Sequence, residues 1–325
     1  MKLTMKHSYI ITFIFLALVF MSCEDKFSQV VEFDLPEHEP VLVSYCMVDV
    51  NSSEIILQLS KSATIDNEES TNINQADIHI LKDGNQFISA FTQDSIFAGF
   101  DYSNPEKMDS IFSKRFIAEL PSSFEHSSVY ELEISSPGFE DVFSNSSVPT
   151  KVEISEIHYE KDGFIDPEGY TTDELEIRFT DPGSEENFYA ISATVDFDFG
   201  GESYSRGLYL DGFDPRFETS WDIALLPDLY NQYIYFEDKE GFDGKENIIK
   251  LSADLYDLDN ENADATLHVV LYSISKEFFA FIHATQLYNN NNGNFFAEPI
   301  IIPSNITNGF GVFGFFTSHE MTIQL

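Results

Sequence analysis

The chain has 325 residues, with 56 acidic and 17 basic side chains, so its formal net charge at pH 7 is −39. A charge of this size repels nucleic-acid phosphates and therefore excludes a nucleic-acid-binding protein. The 43% of hydrophobic residues, including 32 phenylalanines, exclude a disordered protein, and the length allows two domains.

Residues 1–22 predict a signal peptide. Lys2 and Lys6 precede the apolar run Tyr9–Met21, and Ser22 stands directly before Cys23. The apolar run is too short to cross a bilayer, which takes about 20 residues. A cysteine after the cleavage site is typical of bacterial lipoproteins, whose sulfur carries diacylglycerol and whose new N-terminus carries a further acyl chain such as palmitate. We therefore expect lipid on Cys23, and the alternative is an ordinary cleaved signal peptide with an incidental thiol.

A tether at residues 23–39 is predicted to lead into a first β-sandwich domain at residues 40–150. Apolar residues there recur with a period of two, and turn signals separate the short runs, as in an immunoglobulin-like sandwich. The stretch Gln93–Arg115 predicts a long excursion between two strands. Cys46 lies within a strand-like apolar run, so we expect a buried thiol, and no disulfide framework or CxxC pair is available.

Residues 151–325 predict a second β-sandwich domain. Tyr189–Phe199 is the longest strict alternation, and Met321–Leu325 predicts a C-terminal strand. Ser275–Tyr288 breaks the pattern, because its apolar residues recur at helical spacing after a serine suited to an N-cap. The predicted fold is thus all-β, with two β-sandwiches and one amphipathic helix near 275–288 that caps an open end of the second sandwich.

The chain carries little recognisable chemistry. It has no HExxH, GxSxG, Walker, GxGxxG or CxxC motif, so no catalytic residue, metal site or cofactor is assigned. Asp254–Asn262 is rich in oxygen ligands but lacks the glycine and the glutamate of an EF-hand. It predicts either a polar hairpin loop or a calcium loop. Paired carboxylates for glycoside hydrolysis also stay open, because their separation in space decides that reaction.

Aromatic residues crowd the region 204–235 and are the other candidates for a site. They are Tyr204, Tyr209, Phe213, Phe217, Trp221, Tyr230, Tyr233 and Tyr235. Such residues either fill a sandwich core or form a loop platform for a sugar or a peptide. Trp221, Tyr230 and Tyr233 are the candidate binding residues.

Several short motifs carry a resemblance to a known family. They are Pro40–Val43, Asp181–Pro182, Asn187–Tyr189, Phe236–Asp238, Phe242–Lys245, Ser273–Phe279, Glu298–Pro299 and Ser304–Gly314. With these motifs the chain resembles the uncharacterised "domain of unknown function" outer-membrane lipoproteins of Bacteroidota, which are often encoded beside TonB-dependent receptors. The resemblance implies β-sandwich domains, an outer-membrane lipid anchor and a role in assisting a receptor, and it implies no catalytic residue. The acidic Glu24 and Asp25 after Cys23 resemble the export signal of such lipoproteins, which implies exposure on the exterior.

The leading hypothesis is a non-enzymatic, surface-exposed lipoprotein that captures a ligand for a TonB-dependent transporter. One alternative is a lipid-anchored glycan- or protein-active enzyme with carboxylate catalysis. Another is a structural or adhesive surface protein. The expected partners are the outer membrane, through lipid on Cys23, and a TonB-dependent receptor.

Overall fold

The computed structural model describes residues 39–63, 71–101, 109–183, 185–199, 202–214, 216–220, 232–238, 243–253, 255, 264–291 and 298–325. Of the described residues, 59% lie in strands and 7% in a helix, which confirms the predicted all-β class with a single helix among these residues. Cys23 and the tether lie outside the described residues, and so does most of the acidic loop Asp254–Asn262. No described helix has the length and hydropathy needed to cross a membrane. Residues Pro40–Leu325 form one compact unit.

Eighteen strands and helix α1 make up the described fold. The first eight strands are β1 (Leu42–Asp49), β2 (Glu54–Lys61), β3 (Asp77–Lys82), β4 (Asn85–Ile88), β5 (Thr92–Asp101), β6 (Asp109–Glu119), β7 (Val129–Ser135) and β8 (Val142–Ser147). The remaining elements are β9 (Ile154–Ile165), β10 (Thr171–Thr180), β11 (Phe188–Phe199), β12 (Glu202–Gly207), β13 (Leu210–Asp211), β14 (Glu218–Ser220), β15 (Tyr233–Glu237), β16 (Glu246–Ala253), β17 (Asp264–Ile274), α1 (Lys276–Asn291) and β18 (Phe310–Gln324).

These strands form one long sheet and two smaller ones. The long sheet has the order β14-β15-β11-β17-β18-β1-β2-β6-β5, and β12 pairs with β11 beside this path. The N-terminal sheet has the order β4-β3-β7-β8, and the C-terminal sheet has the order β13-β16-β10-β9. The long sheet joins the first and the last described strands, because β1 lies parallel to β18.

Both small sheets pack on the same face of the long sheet, through separate cores. Alternate residues of β18 carry this arrangement: Phe313 and Phe315 pack in the first core, with residues of β1, β2, β3 and β7. Met321 and Ile323, on the same face farther along β18, pack against the second core, which β10, β11, β16 and β17 build. The predicted domain boundary at residue 150 stays a prediction. The two hydrophobic cores are separated near this residue, while the long sheet continues through both halves of the fold.

The segment that leads into β18 lets the backbone pass close to its neighbours. The Asn305 side chain pairs with the backbone of Phe313, donating from Nδ2 to the carbonyl at 2.7 Å and accepting the N–H at 3.0 Å. Gly311 has a φ of 116°, and a side chain there would overlap the Ser44 carbonyl oxygen. Gly314 faces the first turn of α1, where a methyl group would lie 2.9 Å from Cβ of Phe278. The glycines therefore allow β18 to be buried against β1 and α1.

Helix α1 lies where the sequence predicts a helix but packs differently from the prediction. It covers the outer face of the long sheet rather than an open end of the second sandwich, because the alternate residues of β11, β15 and β17 are apolar on this face too. The cluster beneath the helix contains Phe188, Ala190, Tyr233, Tyr235, Tyr272, Ile274, Phe278, Ile282 and Phe316. The sheet is thus apolar on both faces at its centre.

Two further predictions have clear outcomes. Cys46 is fully buried as expected, and its burial raises the pKa of the thiol to about 12. The predicted excursion Gln93–Arg115 is wrong, since β5 and β6 pair there as antiparallel strands at the edge of the long sheet. A register irregularity between Phe97 and Gly99 breaks the alternation, which hides the strands from a search for a period of two.

Candidate functional site

The three aromatic residues proposed for binding do not form a described site. Tyr233 is fully buried beneath α1, where its ring packs edge-on to Tyr272 at 5.9 Å. Trp221 and Tyr230 lie outside the described residues. The binding role of these three residues stays a prediction.

The other aromatic residues of this region are dispersed rather than gathered on one platform. Phe217 packs against Phe236 of the second core, at 5.2 Å between ring centroids. Phe213 is exposed and stacks on Phe164 of β9. Tyr235 lines a cavity, and the signal of aromatic crowding therefore locates part of the site described below.

Asp181 forms a clamp that fixes the loop after β10 to β11 and to the turn before β16. Its Oδ1 accepts a 2.5 Å hydrogen bond from the Tyr189 hydroxyl, and its Oδ2 accepts the N–H of Gly244 at 3.0 Å. The Asp181 N–H donates to the Lys245 carbonyl at 3.0 Å. Burial raises the pKa of Asp181, and burial together with the Asp181 contact raises the pKa of Tyr189. The phenol therefore stays a proton donor to this carboxyl group.

Asn187 extends the clamp to the end of β15. Its side-chain Nδ2 donates to the Pro182 carbonyl at 3.0 Å and to the Glu185 carbonyl at 3.2 Å. The Asn187 carbonyl accepts the N–H of Asp238 at 3.0 Å. Four of the motifs that carry the family resemblance thus meet in one set of buried polar contacts.

Asp181, Asp238 and Asp243 bring carboxylate oxygens within 4.8 Å of one another. Burial raises the pKa of Asp238, and the neighbouring carboxylates Asp181 and Asp243 raise it further. Such a group offers oxygen ligands to a cation. Both oxygens of Asp181 already accept hydrogen bonds within the protein, so the clamp accounts for this residue. No sequence spacing marks the group, because Asp181 follows β10 whereas Asp238 and Asp243 lie between β15 and β16.

A groove runs between helix α1 and the edge of the long sheet at β14 and β15, and we call it the α1 groove. It has a volume of about 610 Å³, which lies in the range of small-molecule sites. Strands β11, β14 and β15 form its floor, α1 forms one wall, and Ile301 and Pro303 close its far side. Ile301 is 87% exposed, which leaves apolar surface at the mouth.

A carboxylate of β14 organises the polar floor of the α1 groove. Glu218 Oε2 accepts the Tyr235 hydroxyl at 2.8 Å and lies 2.9 Å from Nδ1 of His283 on α1. Burial and the bond to Glu218 raise the pKa of Tyr235, so the phenol stays protonated. The strands and the helix that supply these residues are far apart in sequence, so spacing alone could not have predicted the set.

Aromatic rings form the apolar wall of the α1 groove. Phe279 packs against Phe188 with ring centroids 4.8 Å apart, and it stacks on the His283 ring at 6.2 Å with an interplanar angle of 14°. Tyr235 meets Phe279 edge-on at 5.8 Å. Rings held in this way present a rigid surface to a ligand at low cost in conformational entropy.

Charged residues rim the α1 groove. Lys276 pairs with Glu186 at 2.6 Å, and Arg216 pairs with Asp214 at 2.6 Å. Asp238 also lines the groove and links it to the clamp. The groove therefore combines an aromatic wall with a small number of fixed polar groups, which is the usual composition of a binding pocket.

The chain matches, over residues 29–322, the family described as Domain of unknown function (DUF4249), and it belongs to that family. The predicted resemblance to an uncharacterised domain family is thereby confirmed, and the match covers both cores. A search of curated proteins finds no match. The family description assigns no chemistry to the clamp or to the α1 groove.

Proposed function

We propose that this protein is a lipid-anchored, non-enzymatic ligand-capture protein on the outer face of the outer membrane, where it assists a TonB-dependent transporter. The sequence around Cys23 supports the anchor, since a basic start, an apolar run and a small residue precede this cysteine. The family resemblance supports the membrane and the transporter partner. The acidic residues after Cys23 support exposure on the exterior.

The observation that carries the capture role is the α1 groove. Its aromatic wall and its fixed Tyr235–Glu218–His283 floor lie together in a cavity of about 610 Å³. Tyr235 is already paired with Glu218, and Nδ1 of His283 lies near the same carboxylate but makes no hydrogen bond to the described residues, which leaves the imidazole to orient a ligand. A capture protein needs this combination of apolar contact and few directed polar groups.

The anchor and the partner are tested by isolating the C-terminally tagged protein from its native membrane in detergent. We expect metabolic labelling with palmitate, and we expect a β-barrel receptor to co-purify in a stoichiometric amount. Cys23→Ala should remove both the label and the receptor. Lys26→Ala, a change in the tether that keeps the cysteine, serves as the control. Recovery of the wild-type lipoprotein without any receptor would contradict the accessory role.

A further inference from the structure

A second cavity lies in the seam between the two halves of the fold, at the start of helix α1, and we call it the seam pocket. Its volume is about 300 Å³, at the lower end of the range of small-molecule sites. Ser127, Ser147 and Thr150 line it from the N-terminal half. Ser273 and Ser275 line it from the end of β17. The seam pocket and the α1 groove share the Glu186–Lys276 ion pair at their rims.

Ser273 lines the seam pocket, and its buried hydroxyl has no partner among the described residues. Its side chain is 4% exposed, and its Oγ has no hydrogen bond to the described residues. Thr317, the residue opposite Ser273 on β18, is 1% exposed and its Oγ1 likewise has none within this part of the chain. Buried hydroxyls are normally paired, because an unpaired one loses its bonds to water without replacement. The seam therefore holds buried polar groups whose hydrogen bonds the described residues do not supply.

The other groups of the seam pocket both donate and accept hydrogen bonds. Glu277 Oε2 accepts the Ser146 hydroxyl at 2.8 Å, and Glu185 Oε1 accepts the Thr150 hydroxyl at 2.9 Å. The pocket also lies at the N-terminal end of α1, and the first N–H groups of a helix have no acceptor within it. Phe188 adds one apolar surface.

The charges of the seam pocket select against an anionic ligand, and Lys276 and the dipole of α1 are the features of its lining that oppose a cation. The carboxylates Glu185, Glu186 and Glu277 repel an anion. A cation meets the ammonium group of Lys276 and the positive end of the α1 dipole. A neutral ligand with several hydroxyls is repelled neither by the carboxylates nor by Lys276 and the helix dipole. Each of its hydroxyls can donate to a carboxylate and accept from a serine or a helix N–H.

We infer that the seam pocket binds one ring of a neutral saccharide. The cavity volume suits a single ring, Phe188 offers a surface for its carbon face, and the Ser273 hydroxyl gains a partner that the described residues do not supply. The seam pocket adjoins the α1 groove but does not include its Tyr235–Glu218–His283 floor, so a failure of saccharide binding leaves the proposed capture role in place.

Saturation-transfer NMR and calorimetry with glucose, galactose, mannose and N-acetylglucosamine test the inference on the protein from residue 24 onward. Ser273→Val replaces the hydroxyl with methyl groups, and we expect it to weaken saccharide binding by about tenfold or more. Ser192→Ala is the matched control, because Ser192 Oγ is also buried and without a partner among the described residues but does not line the pocket. Ser192→Ala should leave binding unchanged.

A second variant keeps the test valid if Ser273→Val fails to fold. Ser147 is exposed at the mouth of the pocket, so Ser147→Trp should block entry without disturbing a core. Binding of none of the four sugars to the wild-type protein would overturn the inference. Equal binding by wild type, Ser273→Val and Ser147→Trp would overturn it as well, and so would tighter binding of methylammonium or acetate at the same pocket.

Discussion

Buried polar contacts of single residues connect parts of the chain that are distant in sequence. Asp181 is 1% exposed and accepts hydrogen bonds from β11 and from the turn before β16. The sequence shows the residue types of this clamp, because Asp181, Asn187 and Tyr189 stand in recognisable motifs. It does not show that they meet Gly244, since only the fold brings position 244 to Asp181.

Replacing Tyr189 by phenylalanine tests the clamp. The change removes the donor to Asp181 Oδ1 and leaves a buried carboxyl oxygen with one partner fewer. We expect the free energy of unfolding in urea to fall by about 1–3 kcal/mol. Tyr170→Phe, at an exposed tyrosine, is the control and should change it by less than about 0.5 kcal/mol. Equal stability of both variants would show that the hydroxyl has no structural role.

Asp238→Asn tests the electrostatics of the carboxylate group through pH. Burial raises the pKa of Asp238 above its ordinary value of 3.8, so the folded state prefers the neutral acid. Stability from this residue is therefore present below the ordinary pKa and is lost as pH rises through the raised pKa. We expect the variant to gain stability relative to the wild type between about pH 3 and about pH 7, measured by urea unfolding.

Asp94→Asn is the control of opposite sign for this pH series. A hydrogen bond from Arg115 lowers the pKa of Asp94, so its contribution is present at neutral pH and is lost as pH falls through the lowered pKa. This variant should therefore lose stability relative to the wild type as pH rises. The same pH trend in both variants would contradict the assignment of burial as the cause at Asp238.

Helix α1 and the strands beneath it show which features of the fold the sequence pattern predicts and which it does not. The start of α1 after Ser275 and the period of two in β11 and β17 follow from the side chains alone. The side on which α1 packs does not follow, because β11 and β17 are apolar on both faces near their centres and periodicity assigns only one of them to a core. The pair β5 and β6 was hidden for a related reason, since a local irregularity interrupts its alternation.

Gly314→Ala tests the contact between α1 and β18. A methyl group at position 314 would lie 2.8 Å from Ser275 Oγ and 2.9 Å from Phe278 Cβ, so the first turn of the helix must move. We expect a loss of about 1–3 kcal/mol in the free energy of unfolding, measured by denaturant titration followed by circular dichroism. Thr322→Ala on the exposed part of β18 is the control. An unchanged stability of Gly314→Ala would mean that the helix is not held at this distance.

The topology makes the two halves of the fold depend on each other. Strand β1 pairs with β18, and β18 supplies Phe313 and Phe315 to the first core. Sequence periodicity could predict two sandwiches, since most of each core is local to its half. It could not predict that β18 pairs with β1, because no local pattern encodes a parallel partner about 270 residues away.

A fragment of residues 40–150 tests this dependence. Without β18 the fragment exposes one edge of β1 and lacks two phenylalanines of its core. We expect no sharp thermal transition and no near-ultraviolet circular dichroism signal from the fragment, whereas residues 40–325 should unfold cooperatively. A cooperative transition of the fragment would instead support an independent N-terminal domain.

The account depends most on the α1 groove as the place where a ligand is captured. Native mass spectrometry of the protein purified from its own membrane tests it, with Ala280→Trp filling the groove and Asn289→Trp on the exposed side of the same helix as the control. A bound species should accompany the wild type and Asn289→Trp and should be absent from Ala280→Trp at an unchanged melting temperature. Retention of that species by Ala280→Trp, or a wild-type protein without any bound species, would contradict the proposed function.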